Sequence, residues 1–314
     1  MSKVSFIIPC YASEHTISSV VQEINETMEK LKKYQWEIIL VNDASPDKTF
    51  SVIKKLCKEN DNITGLDMAR NFGQHAAIMA GFHCMSGDIA VCLDDDGQTP
   101  ADEVGKLLEK IEKGYDAVYA TYGEKKHSVL RNLGSKINKR MTESLLGKPK
   151  KLYVSSYFAA KRFVVEEVKK YQYKYPYVLG LVLRTTKNIC NVTVQHRERQ
   201  VGQSGYSMRK LLALWVNGFT AFSVKPLRVA TISGVLAAVV GGVYAIWTII
   251  KKFTNPAVPV GWSSTIAIML ILGGLILFVL GMLGEYIGRI YICINNSPQY
   301  VVRERIGMEQ DMKE

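Results

Sequence analysis

Residues 88–100 read DIAVCLDDDGQTP: a short apolar run closed by three adjacent acids, Asp94, Asp95 and Asp96, and then by a Gly-Gln-Thr-Pro turn. The run predicts a strand over 88–96. Three neighbouring carboxylates repel one another and are tolerated where a cation neutralises them. Hard oxygens suit Mg²⁺ or Mn²⁺, and magnesium usually takes one or two carboxylates together with the phosphates of its ligand. The pattern therefore points to a metal bridging a nucleotide diphosphate, with a solvated acidic turn as the plainer reading, because D-x-D alone is a weak signal.

The sequence around this stretch gives it a frame. Upstream, strand-like runs at 4–9, 36–43 and 63–67 alternate with helical patterns at 16–33, 48–59 and 74–85; downstream come a helix at 100–113 and a strand at 117–121. Such alternation predicts an α/β fold, a Rossmann-like, mostly parallel sheet with helices on both faces. Ligands of these sheets lie beyond the carboxyl ends of the strands. Pro9-Cys10-Tyr11 and Asp43 close the first two strands and would flank the same crevice as the acids. Asp43 serves as well as a helix N-cap as it does as a nucleoside ligand. No G-x-G-x-x-G follows the first strand and no G-x-x-x-x-G-K-[ST] occurs, which disfavours a dinucleotide enzyme or a P-loop NTPase.

Of the 314 residues, 47% are hydrophobic, and they are unevenly spread. Residues 229–250 and 264–284 carry no charge, and each run is long enough to cross a bilayer as a helix. The expected organisation is a catalytic domain over 1–206, an interfacial amphipathic helix over 207–228, two spans within 229–287 (229–250 and 264–287), and a tail over 288–314. Basic residues flank the pair on its outer sides (Arg209, Lys210, Lys225 and Arg228 before it, Arg289, Arg303 and Arg305 after), so both termini are expected in the cytoplasm and 251–263 outside it. No signal peptide is visible at the start. Segments 128–146 and 208–224 have basic, apolar-striped helical patterns suited to a membrane surface or to a core. The six cysteines form no C-x-x-C pair and read as reduced thiols. A net charge of +11 suits anionic headgroups or phosphorylated ligands, and the hairpin argues against nucleic acid.

The motifs IIPCYASE-x-T-I at 7–17, VNDAS-x-D-x-T at 41–49, ARNFGQHAAIMAG at 69–81 and LDDDGQTP at 93–100 resemble the successive elements of the family 2 GT-A glycosyltransferases. KPLRVAT at 225–231, GEYIGRIY at 284–291 and SPQYVVRE at 297–304 are similar to the bacterial polyprenyl-phosphate glycosyltransferases, relatives of dolichol-phosphate mannose synthase. The resemblance implies an inverting transfer of a sugar from a nucleotide diphosphate sugar, UDP-glucose in first place, to undecaprenyl phosphate at the cytoplasmic membrane face. GDP-mannose, a UDP-amino sugar and UDP-N-acetylhexosamine stay open. By motif position Pro9, Tyr11, Glu14 and Asp43 hold the nucleoside. Asp94 and Asp96 serve the ribose and a Mg²⁺ or Mn²⁺ ion, with Asp96 its nearest ligand; Asp95 joins the nucleotide-sugar-binding residues, and Asp94, Asp96 and Arg199 form the implied catalytic set. Arg199, Gly202 and Ser204 match part of R-x-x-G-x-S-[KR], and Arg199 would hold phosphate, with Arg131 and Lys136 as further acceptor-phosphate cations.

The chain departs from the pattern twice. Gly205 follows Ser204 where relatives carry Lys or Arg, and Ser156 stands where the G-D-F-R-like element has its acid. A phosphate nucleophile with a second pKa near 6 needs placing rather than deprotonating, so Ser156→Ala is expected to matter little. Competing readings are a catalytically silent scaffold for a flippase or a partner transferase, and a processive synthase, which needs more spans and a Q-x-x-R-W element not found here. Gly284-x-x-x-Gly288 permits the close helix contact of a homo-oligomer.

Overall fold

The computed structural model describes residues 1–122, 152–195, 225–254, 261–295 and 297–307. They fall into two compact units, Met1–Gly205 with Asn296–Glu314, and Tyr206–Asn295. The first unit is built on an eight-stranded sheet of order β7-β5-β6-β4-β1-β2-β3-β8. Its strands are β1 (Lys3–Cys10), β2 (Gln35–Asn42), β3 (Ile63–Met68), β4 (Ile89–Cys92), β5 (Ala117–Tyr122), β6 (Phe158–Lys161), β7 (Ile189–Val194) and β8 (Val302–Ile306). β4, β1, β2 and β3 pair in parallel, as the alternation predicts. β6 lies antiparallel between β4 and β5, and β8 runs antiparallel along the edge of β3.

The helices are α1 (Ile17–Leu31), α2 (Thr49–Glu59), α3 (Gln74–Cys84), α4 (Val104–Glu112), α5 (Arg162–Lys169) and α6 (Val178–Thr185). Period-two alternation along the strands sends side chains to two cores. Val4, Phe6, Ile8 and Cys10 of β1 belong to the core shared with α1, α2 and α4, whereas Ile7 belongs to the core shared with α3, α5 and α6. Helix α3 is apolar nearly all round, and it lies so close to β1 that a Cβ at Gly81 would come 2.5 Å from Ile7 Cγ2. A side chain there would push the helix off the sheet.

Three boundaries differ from the sequence expectation. Strand β4 stops at Cys92, so Asp94–Asp96 stand on the loop beyond it, where adjacent carboxylates can spread apart rather than face neighbouring strands. The helix expected over 100–113 begins as a 3-10 turn, Ala101–Glu103, behind Pro100. The tail expected to follow the spans contains β8, an edge strand whose exposed Arg303, Glu304 and Arg305 hid it from a hydrophobicity reading.

The second unit holds two long helices in contact, α7 (Lys225–Thr254) and α8 (Trp262–Ile294). They exceed the runs 229–250 and 264–287, because Lys251 and Lys252 continue the helix rather than begin the connection. α8 contains an apolar window, Ile271–Gly288, long enough to cross a membrane. The corresponding stretch of α7, Ala230–Tyr244, is shorter. Segment 128–146 and most of 207–228 lie outside the described residues.

Candidate active site

The carboxyl ends of β1, β2 and β4 meet where the strand order reverses, and β1 has parallel neighbours on both sides. The turns after β1 and β2 each force an alanine into the left-handed region, Ala12 at φ 54° and Ala44 at φ 51°. Such strain persists only where the surroundings hold it. Here the two turns are laced to each other. Asp43 N–H donates to Cys10 O (2.9 Å), Ala12 N–H to Ser45 Oγ (3.2 Å), Ser13 N–H to Thr49 Oγ1 (2.9 Å) and Glu14 N–H to Asp47 Oδ2 (3.2 Å). Lys48 N–H returns a bond to Glu14 Oε2 (2.9 Å). Glu14, expected at the nucleoside, and Asp47 and Thr49, which the sequence shows only as parts of a motif, thus build the ledge on which a ligand would rest.

Asp43 caps no helix, contrary to one reading of the sequence. Its two oxygens accept the backbone N–H groups of Phe72 (2.7 Å) and Gly73 (2.8 Å), the turn that opens α3. Burial raises its pKa, and these two donors oppose the rise. Gly73 at φ 91° then lets the chain enter the helix. The first helical residue, Gln74, donates Nε2–H to Asp94 Oδ1 (2.7 Å). On the other side Ser156 Oγ–H donates to Asp94 Oδ2 (2.5 Å). Asp94 is therefore clamped through both oxygens, while burial and the charge of Asp96 push its pKa up.

Ser156, expected to matter little, is thus in contact with the acid cluster. The residue at the absent acid's position does reach the site, but as a donor to an acid already there. Asp95 accepts Tyr11 N–H (2.9 Å), and burial, aided by Asp94, raises it to about 6. Asp96 Oδ1 accepts Gln98 N–H (3.0 Å), and Gly97 at φ 72° makes the turn. Pro9 is buried in β1, while the Tyr11 ring stands exposed at the lip. Tyr122, at the end of β5, is a site residue that sequence reasoning missed; its hydroxyl is pushed up to about 12 by burial and then by Asp94. Gln74 lay in plain view inside ARNFGQHAAIMAG, without any spacing signal to link it to an acid 20 residues away.

Among the described residues no group of three His, Cys, Asp or Glu side chains is placed to hold a metal by itself. Asp94 and Asp96 nonetheless stand two residues apart on one loop, and two carboxylates are what a magnesium-type ion needs when phosphates supply the rest of its shell. The donor set fits such an ion. Arg131, Lys136, Arg199, Gly202 and Ser204 lie outside the described residues.

Residues 5–169 match the family Glycosyl transferase family 2, and residues 225–290 match the GtrB C-terminal hairpin. The uncharacterized glycosyltransferase YkcC of Bacillus subtilis (strain 168) is 31% identical over 306 residues, covering 97% of this chain and 94% of its own. The undecaprenyl-phosphate 4-deoxy-4-formamido-L-arabinose transferase of Yersinia enterocolitica is 31% identical over 313 residues, covering 99% and 95%. In fold, the chain is similar to glucosyl-3-phosphoglycerate synthase from Mycobacterium tuberculosis. Its UDP complex superposes with a TM-score of 0.53 at 17% identity, covering 70% of this chain and 79% of that one. Its complex with Mn²⁺ and UDP-glucose gives 0.53 at 18%, covering 70% and 77%.

Proposed function

This chain belongs to glycosyl transferase family 2 and is a glycosyltransferase of GT-A fold, and on that premise we propose that it moves a sugar from a nucleotide diphosphate sugar to the phosphate of undecaprenyl phosphate at the cytoplasmic membrane face. The observation that carries the reading is the clamped acid cluster, Asp94 to Asp96, at the carboxyl ends of the strands. The acceptor is supported by relatives named undecaprenyl-phosphate transferases that align over nearly the whole chain, and by the hairpin match.

In this reading the nucleoside lies on the ledge formed by Pro9, Tyr11, Glu14 and Asp43, and the diphosphate lies over Asp94 and Asp96. A Mg²⁺ or Mn²⁺ ion held by these two acids would neutralise the diphosphate as it leaves. Gln74 and Ser156 fix the Asp94 carboxylate so that little reorganisation is needed when charge develops. An oxygen of the acceptor phosphate attacks the anomeric carbon, the bond from that carbon to the diphosphate breaks, and the configuration inverts. The phosphate is already largely ionised at neutral pH, so no side chain has to remove a proton. Arg199, Ser204, Arg131 and Lys136 are the groups assigned to hold it, Arg199 by a bidentate fork.

The donor follows from a screen. Membranes containing the protein are incubated with undecaprenyl phosphate and radiolabelled UDP-glucose, UDP-linked 4-amino or 4-formamido pentoses, UDP-N-acetylhexosamines or GDP-mannose, and label is counted in the organic extract. One donor should label the lipid, and Asp96→Ala should abolish the transfer while the protein stays folded in the membrane. No lipid label from any donor would favour a silent scaffold for a flippase or partner transferase. Retention of near-normal turnover by Asp96→Ala with a chelator present would remove the metal role.

A further inference from the structure

Between α5 and α6, residues 170–177 read KYQYKYPY, a density of tyrosine and lysine that the catalytic reading leaves unused. Tyr173 and Tyr175 are 54% and 58% exposed, and Phe163, at the start of α5, is 50% exposed. The Lys174 ammonium lies 5.1 Å from the centre of the Tyr175 ring, and Tyr175 itself is held at φ 62°, a left-handed turn unusual for a bulky residue. Tyr171 and Tyr173 stack edge to face at 5.5 Å. The loop thus makes contacts of its own, yet it presents the Tyr173 and Tyr175 rings to solvent.

Its backbone is fastened to one particular segment. Gln299 Nε2 donates to Tyr171 O (3.1 Å) and to Tyr173 O (2.8 Å), and the neighbouring Tyr300 ring lies 5.9 Å from His83 of α3. Gln299 follows Ile294, the last residue of α8, by five residues. A chain of that length reaches about 18 Å at most when fully extended. If α8 spans a bilayer, the segment that grips the loop thus starts within reach of the headgroup layer.

Tyrosine is enriched at membrane interfaces because its ring is apolar and its hydroxyl wet. Lysine beside it adds attraction to anionic lipid. We propose that the 170–177 loop docks on the anionic headgroup surface of the membrane that holds the hairpin, with Tyr173 and Tyr175 in the headgroup layer and Lys174 against lipid phosphates, while Lys170 is paired with Glu167. Docking there would limit the tumbling of the catalytic unit on its anchor and keep its site near a lipid-borne acceptor. The inference rests on the membrane reading of the hairpin, and the two can fail separately.

The test uses the full chain with Cys190→Ser and Cys293→Ser, since Cys10, Cys57, Cys84 and Cys92 are buried. An environment-sensitive fluorophore is placed at Gln172→Cys or, as a control on α2 across the sheet from α5, at Lys58→Cys. The protein is reconstituted into phosphatidylcholine vesicles with or without phosphatidylglycerol. With anionic lipid, the probe at 172 should shift to shorter wavelength and be quenched by headgroup spin-labelled lipid severalfold more than the probe at 58. The difference should vanish in Tyr173→Ser/Tyr175→Ser, and Lys174→Gln should lower the docked-to-undocked ratio about fivefold. Equal quenching at 172 and 58 while the vesicles float with the protein would overturn the docking alone. Protection at 172 that depends on protein density, not on anionic lipid, would assign the loop to a second copy and overturn it too. Failure of every variant to float would overturn the membrane anchor and, with it, the docking.

Discussion

At the residue scale the centre of the site is Asp94, held between Gln74 and Ser156. Hydrogen bonds to a charged group contribute about 1.5–3 kcal/mol. Removing the Ser156 hydroxyl leaves one oxygen of a buried carboxylate unserved, so Ser156→Ala should lower turnover roughly 10- to 100-fold. Because Ser156 opposes the burial that raises the Asp94 pKa, its loss raises that pKa further and the acid limb of the pH–rate profile moves to higher pH. Wild-type rates and profile in Ser156→Ala would contradict the clamp. The triple acid was legible because it is contiguous; its clamp was not, since Ser156 lies 62 residues away and no local pattern links the two.

His75, beside Gln74, gives a second handle. Its Nδ1 is closed to solvent and has no hydrogen-bond partner among the described residues, and burial lowers its pKa from 6.5 to about 4. The folded state therefore binds this proton later than the unfolded chain does. The resulting stability is complete above about pH 6.5 and is lost as pH falls toward 4, about 3 kcal/mol over the window. Asp94 and Asp95, raised by burial, act in the opposite direction, so only a comparison isolates the histidine. In denaturant titrations of the detergent-solubilised chain, His75→Phe should lose less stability than wild type between pH 7 and 5. Parallel losses in the two proteins would rule this out.

At the element scale, the alternating strands and helices of the first 120 residues were readable because each has its own periodicity. β6 and β8 were not. β6 is four residues long, and VRERI of β8 alternates only at its ends. β8 nevertheless connects to the site. Arg303 Nη2–H donates to Ala69 O (2.7 Å) and its Nη1 lies 3.5 Å from Asp67, whose other oxygen accepts from Asn42 Nδ2 (2.7 Å). Asn42 Oδ1 in turn accepts Ser45 N–H (3.3 Å), on the ledge formed by the turns after β1 and β2. Arg303 is largely exposed, so solvent weakens its pair with Asp67 and Arg303→Ala should cost only about 1 kcal/mol, some 2–4 °C in Tm. Ending the chain at Tyr300 removes the whole strand and bares the β3 edge, so aggregation and a raised donor KM should accompany a larger loss. A truncated chain that melts and binds donor like wild type would show that β8 is ornamental.

At the scale of the whole molecule, β8 also constrains the path of the chain through the membrane. β3 precedes the hairpin in sequence and β8 follows it, yet their residues are hydrogen-bonded neighbours, Gly65 opposite Ile306 and Asp67 opposite Glu304. Two strands of one sheet lie on one side of a bilayer, so the chain between them crosses it an even number of times. α8 has an apolar window of full spanning length, Ile271–Gly288. If α8 crosses, a second crossing is required, and among the described residues α7 is the helix able to supply it. At 1.5 Å per residue its 30 residues extend about 45 Å, more than the roughly 30 Å of hydrocarbon, although its apolar stretch is shorter than that of α8. The connection between the helices, residues 255–260, should then face outward and both ends of the catalytic unit inward. Single cysteines at Lys58, Val258 and Val301 test this with a membrane-impermeant thiol reagent, in a background cleared of Cys190 and Cys293. Val258→Cys should react in intact cells, and Lys58→Cys and Val301→Cys only after permeabilisation. Reaction of Lys58 and Val301 from opposite sides would break the β3–β8 pairing, and protection of all three positions until permeabilisation would mean that neither helix crosses.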